Sequence, residues 1–171
     1  KKRLNYEVLK NNHDLTLWRY MDILPLSGFK MIPPVQVGWT PLYKAERLGA
    51  GVGVPNLYIK DDGRNPSASF KDRASFLVAA FAKEHGIGEI ALASTGNAAS
   101  SMACIGAAAG LKVKVFLPRK APEAKRVQVL QYGARLEEVD GNYDMAFERS
   151  LAYSRETGVL SRNTAYNPLT I

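Results

Sequence analysis

At 171 residues the chain is long enough for one full domain, or for one domain and part of another. Hydrophobic residues make up 46% and charged residues 23%, which excludes a disordered chain. The net charge of +7 is scattered, with a loose concentration between Lys112 and Arg126. No recognition motif or aromatic interleaving accompanies it, so it argues against a nucleic-acid partner and for a solvated surface that attracts small anions.

The N-terminus reads KKRLNYEVLKNN, basic but with no apolar run behind it, so no secretory signal is expected. Over residues 1–60, Trp18, Tyr20, Pro25, Pro33, Pro34, Trp39 and Pro41 predict irregular structure wrapping over another surface. From residue 57 onward, short apolar runs alternate with helical patterns, the order of stacked β-α units and a parallel sheet. Strands are predicted over 57–60, 90–93, 113–117 and 136–139, each rich in β-branched or aliphatic residues and followed by polar or glycine punctuation. A helix is predicted over 70–84, with Phe70, Ala74, Leu77, Val78 and Phe81 on its apolar face, a capping box of Ser69 and Asp72, and a stop at Gly86. Residues 97–109 predict a helix of small residues packed close to its neighbours and ended by Gly110. Further helices are expected from Pro122 to Gly133, with Val127 and Leu130 facing inward, and over 143–156 before Gly158.

The small-residue stretch 91–110 comes nearest to a membrane span but is broken by Ser94, Thr95, Asn97 and Ser100, so no membrane partner is expected. The single cysteine, Cys104, reads as a buried small hydrophobe, and His13 and His85 have no suggestive neighbours. No metal site is expected, and a reducing cytoplasmic location fits best.

Two segments carry chemistry. Lys71 falls behind a serine at a helix N-terminus, where the helix dipole opposes a cation and suits an amine nucleophile, and Arg73 is expected to reinforce that field. The alternative is a lysine that merely solvates a helix end. ASTGNAASS, residues 93–101, leaves a strand and enters a helix through hydroxyls and free backbone N–H groups, the makings of a carboxylate or phosphate site. The alternative there is an ordinary turn with polar caps.

NPSASFKDR and ASTGN, with GWTPL at residues 38–42 ahead of them, resemble the paired signatures of the fold-type-II, tryptophan-synthase-β-like pyridoxal-phosphate enzymes. YIKDDGRNPSASFKDR and the upstream LWRYMDILPL are most similar to the threonine synthases among them. The resemblance implies an α/β fold with an open parallel sheet and flanking helices, and pyridoxal 5'-phosphate as cofactor. It implies that Lys71 carries the cofactor as a Schiff base and then moves substrate protons, with Phe70 and Asn97 also binding cofactor. Ser94, Thr95, Gly96, Asn97 and Ala98 would grip the carboxylate of an amino-acid substrate. The implied reaction is that of O-phospho-L-homoserine and water, in a homodimeric cytoplasmic enzyme. Other lyases of the fold, such as threonine or serine dehydratases and O-phosphoserine-using enzymes, are the nearest alternatives. A non-catalytic binding module ranks below them because Lys71 is retained, and a dinucleotide binder lacks the G-x-G-x-x-G fingerprint.

The sequence departs from the pattern in three places. Ala68 stands where many relatives have glycine, a change expected to be tolerated, and Asp61 and Asp62 stand where a glutamate is frequent. Where some threonine synthases place an Asn-Ser pair and an arginine around the substrate phosphate, Thr164, Ala165 and Thr170 stand here, leaving Arg162 as the expected substitute. The family's cofactor-phosphate loop would follow the region present. The chain is therefore expected to be an N-terminal portion that is inactive alone. Residues 1–60 would pack on a larger domain, 61–160 would form the smaller one, and 161–171 would begin the return.

Overall fold

The computed structural model describes residues 5–28 and 32–170. The first four residues of the basic N-terminus, and Ile171 at the end of the expected return segment, lie outside the described residues. A short helix, α1 (Tyr6–Lys10), starts at Asn5, whose side chain accepts from the Val8 N–H. A 3-10 stretch over Leu17–Ile23 follows behind Thr16. It seats Trp18, 4% exposed, against Phe76, with ring centroids 4.8 Å apart.

Next come β1 (Leu42–Lys44), α2 (Glu46–Gly51) and β2 (Tyr58–Lys60). β1 and β2 pair antiparallel as a separate two-stranded sheet. This corrects the expectation that residues 57–60 open the parallel series. Parallel neighbours need a long crossover helix, and the single short helix between these strands suits an antiparallel pair.

The main sheet is parallel and four-stranded, built from β3 (Glu89–Ala93), β4 (Lys112–Pro118), β5 (Arg135–Val139) and β6 (Leu160–Ser161). The spatial order is β5-β4-β3-β6. Alternation sends Ile90, Leu92, Val113, Val115 and Leu117 to one face, under α3 (Lys71–Glu84), α4 (Asn97–Ala109) and α5 (Glu123–Gln131). Ala91, Ala93 and Phe116 face the other way, onto α6 (Tyr143–Thr157). Helices thus cover both faces, as a parallel sheet requires. The fold is α/β, an open parallel sheet with flanking helices.

The two largest helix-face expectations need correction. Of the five residues expected inward on α3, Val78 is buried, with Asp72, Ser75, Phe76, Ala79, Ala80 and Ala82 beside it, while Phe70 is exposed and Ala74, Leu77 and Phe81 are half-buried. Close approach of α4 is the reason: Ser101 Oγ lies 2.7 Å from Ser75 Oγ, a gap that only small side chains fit. In α5, Val129 is buried, whereas Val127 and Leu130 are 45% and 53% exposed, because that helix turns its inward face one position from the one expected.

Winding reverses between β3 and β6, since β4 and β5 lie to one side of β3 and β6 to the other. Loops leaving the carboxyl ends of β3 and β6 therefore diverge and leave a crevice, the usual ligand position in an open α/β sheet.

Candidate active site

Lys71 opens α3, held by the backbone on both sides. Ala68 adopts a left-handed conformation, φ 56°, and turns the chain so that Ser67 sits over the helix end. The fully buried Asp72 carboxylate accepts from the Ser67 N–H at 2.7 Å and from the Ser67 hydroxyl. Ser69 Oγ accepts from the Lys71 N–H at 3.1 Å. The expected reciprocal box of Ser69 and Asp72 does not form, because the turn at Ala68 gives the Asp72 carboxylate a nearer partner. Lys71 Nζ lies 4.2 Å from the centre of the Phe70 ring. Among the described residues it has no hydrogen-bond acceptor or carboxylate partner.

Arg73 does not lend its charge to Lys71. Its Nε and NH2 donate to the two oxygens of Asp62, each at 2.8 Å, and NH2 also reaches Thr40 Oγ1 at 3.2 Å. The Arg73 guanidinium, helped by the Thr40 hydroxyl and by Lys60, pulls the Asp62 carboxyl down to about 2. Asp62, which the sequence left without a role, is thus the hub that ties the Gly38–Leu42 segment to α3.

Beyond β3, the Ala93 N–H donates to Asn163 Oδ1 at 2.8 Å, and Asn163 Nδ2 donates to Ser150 Oγ at 2.8 Å. This clamp joins the ends of β3 and β6 to α6. Ser94 Oγ then accepts from the Gly96 N–H at 3.2 Å, and Gly96 caps α4 with no side-chain bond. Among the described residues, no acceptor meets the backbone N–H groups of Thr95, Asn97 or Ala98. These are the unpaired donors of a helix start and suit an anion.

Arg162 closes the arrangement. It is 1% exposed, and burial lowers its pKa to about 10. Its Nε lies 3.4 Å from Ser75 Oγ and its NH1 3.2 Å from Thr164 Oγ1, while the buried NH2 has no partner. No carboxylate among the described residues pairs with it. The side chain forms part of the wall of two adjoining hollows. One, of about 300 Å³, also includes Phe70, Lys71, Ala74 and Thr164. The other, of about 520 Å³, also includes Ser94, Ala98, Tyr143, Asn163 and Thr164.

Phe70 and Lys71 therefore border one hollow and Ser94 and Ala98 the other, with Arg162 and Thr164 common to both. Thr95, Gly96 and Asn97 sit at the crest of the loop, outside both hollows, with Asn97 exposed. Sequence reasoning missed Asn163, whose position two residues after the last strand was an available signal. It also missed Tyr143, which donates to the Ala93 carbonyl at 3.3 Å, and Lys125, which meets Asn97 at 3.0 Å. Nothing in local sequence marks either of those two. Among the described residues, no group of three or more His, Cys, Asp or Glu could hold a metal ion. No described helix is long and apolar enough to cross a membrane.

A family profile described as "Pyridoxal-phosphate dependent enzyme" matches residues 34–171. A threonine synthase of Methanosarcina acetivorans is 37% identical over 154 residues, which is 88% of this chain and 38% of that protein. One from Methanocaldococcus jannaschii is 35% identical over 91% of this chain and 38% of its own length. The chain thus spans well under half the length of these curated relatives. Among solved structures, the processed form of threonine deaminase isoform 2 from Solanum lycopersicum superposes with a TM-score of 0.64 at 28% identity, over 71% of this chain and 34% of that one. With its parallel sheet, its lysine at the head of α3 and its anion-suited loop after β3, the chain belongs to the family of pyridoxal-phosphate dependent enzymes.

Proposed function

We propose that the protein carrying this chain is a threonine synthase, converting O-phospho-L-homoserine and water to L-threonine and phosphate. The residues present fit the family's cofactor. Lys71 offers a primary amine with no competing partner, Phe70 an aromatic face beside it, and Asn97 an amide for the ring hydroxyl. When bound, pyridoxal phosphate supplies an electron sink for charge developing on the substrate carbons.

The observation that carries the choice of substrate is Arg162. A buried guanidinium with an open N–H and no carboxylate is costly unless a ligand brings the missing anion. A phosphorylated side chain supplies it, whereas the substrates of threonine and serine dehydratases carry no second anion. In this reading Arg162 and Thr164 hold the phosphate, and the N–H groups of the Ser94–Ala98 loop hold the α-carboxylate. Lys71 Nζ would hold the cofactor and serve as the base that takes protons from the α and β carbons, gives one to the γ carbon and returns one to the α carbon. Phosphate leaves the γ carbon, which becomes a methyl group by gaining the proton that the β carbon gives up. The hydroxyl of water ends on the β carbon, while its other proton leaves with the phosphate. The names of the relatives support the same choice. A homodimer in the cytoplasm, with residues 61–160 as its smaller domain, belongs to this proposal.

The test is turnover by the full-length protein. O-phospho-L-homoserine should give threonine and phosphate in equal amounts, and Lys71→Ala should abolish both turnover and the visible absorbance of bound cofactor. Arg162→Met should raise KM for the phosphorylated substrate about tenfold or more while leaving cofactor absorbance in place. Phosphate release from O-phosphoserine but not from O-phospho-L-homoserine would sink the reading.

A further inference from the structure

Lys125 lies in the first turn of α5, where the helix dipole disfavours a cation. Its Nζ sits 3.0 Å from Asn97 Oδ1 and 3.5 Å from Gln128 Oε1. No carboxylate lies within ion-pair distance of it among the described residues. Both α4 and α5 start at the carboxyl edge of the sheet, following β3 and β4, so the contact joins two helix starts on the rim of the candidate active site.

The chemistry of this contact settles the orientation of the amide. The two ends of an asparagine side chain look alike in shape, and their assignment ordinarily rests on their neighbours. An ammonium has donors and no acceptor. The end of Asn97 beside Lys125 is therefore the oxygen, and Nδ2 is turned away from it. Among the described residues, no acceptor meets Nδ2. The amide is left with one oriented donor to offer.

We propose that Lys125 is a positioning residue: it fixes the Asn97 amide with Nδ2 as the group presented to the cofactor ring oxygen. The inference rests on Asn97 as the residue that meets that ring. Without Lys125 the amide rotates between two near-equivalent states, only one of which offers a donor. Arginine at the same position, also a donor without an acceptor, keeps the preference.

The experiment uses the full-length protein with its cofactor removed and titrates pyridoxal 5'-phosphate, reading the dissociation constant and the absorbance maximum of the bound form. Lys125→Met should weaken binding about three- to tenfold and shift the absorbance maximum, since a charge-assisted contact near the surface is worth about that much. Lys125→Arg should stay close to wild type. In an Asn97→Ala background, Lys125→Met should change binding less than about twofold, because the residue it acts through is gone. Equal weakening in both backgrounds, or none in either, would overturn the inference and leave the family reading intact. A wild-type protein that takes up no cofactor would overturn both. Thermal unfolding of each apoprotein checks that the variants fold.

Discussion

Ala68 shows how one residue can be at once tolerable and costly. Its φ of 56° lies in the left-handed region, where a Cβ meets the following carbonyl. The conformation has a use, since it brings the Ser67 N–H onto the buried Asp72 carboxylate and so fixes the start of the helix that carries Lys71. Glycine would relieve about 1–2 kcal/mol of strain and return roughly 0.4–1 kcal/mol through a more flexible unfolded chain. Ala68→Gly is therefore expected to raise stability by about 0.5–1 kcal/mol, measured as a shift in urea midpoint at unchanged slope. Arg162 makes the complementary point. The family resemblance singles it out as a candidate, but only the reversal of the sheet between β3 and β6 makes it a buried charge lacking a carboxylate. Its neighbours Ser75 and Thr164 stand on either side of it in sequence, one of them far away, so no local pattern could assemble the set.

The helix α4 and its neighbours mark what sequence can read at the scale of elements. A run of Ala, Ser and Gly announces close packing, and close packing is found: a Cβ placed on Gly106 would lie 2.3 Å from Val113 Cγ2 on β4. Gly106→Ala should cost about 1–3 kcal/mol in chemical unfolding, and a second change, Val113→Ala, should cost less in that background than alone. The three later strands and the ends of α4 and α6 at Gly110 and Gly158 were equally legible, because each rests on a local rule. What failed were properties set by partners. The inward face of α3 depends on how near α4 comes, and large residues that read as core instead border the hollow beside Lys71. Likewise β2 has the composition of any strand, and only its pairing with β1 reveals that it stands outside the parallel sheet. Lys71 and the 94–98 loop were legible as candidates because both sit at helix starts. Lys125, which holds Asn97 across two helices, had no local signal at all.

At the scale of the whole molecule, the irregular N-terminal segment is tied to the candidate active site through one ionic hub. The Leu17 N–H donates to the Val37 carbonyl at 2.9 Å, and the Gly38 N–H donates to Asn65 Oδ1 at 3.1 Å. The Thr40 hydroxyl then donates to Asp62, which also takes both donors of Arg73 on α3. Because the Asp62 carboxyl is held at about 2, below its unfolded value of 3.8, its ionised form favours the folded state. That contribution is fully present above about pH 4 and is lost as the pH falls through 2. The side chains of Arg73 and Asp62 are 31% and 20% exposed, so water screens the pair and reduces the contribution to about 1 kcal/mol. Asp62→Asn should therefore lower stability by roughly that amount at neutral pH and by progressively less toward pH 2, where the two proteins converge. Thermal unfolding across a pH series reads this directly. A constant difference between the two proteins down to pH 2 would mean that Asp62 acts through packing, and that the tether between the N-terminal segment and α3 does not depend on its charge.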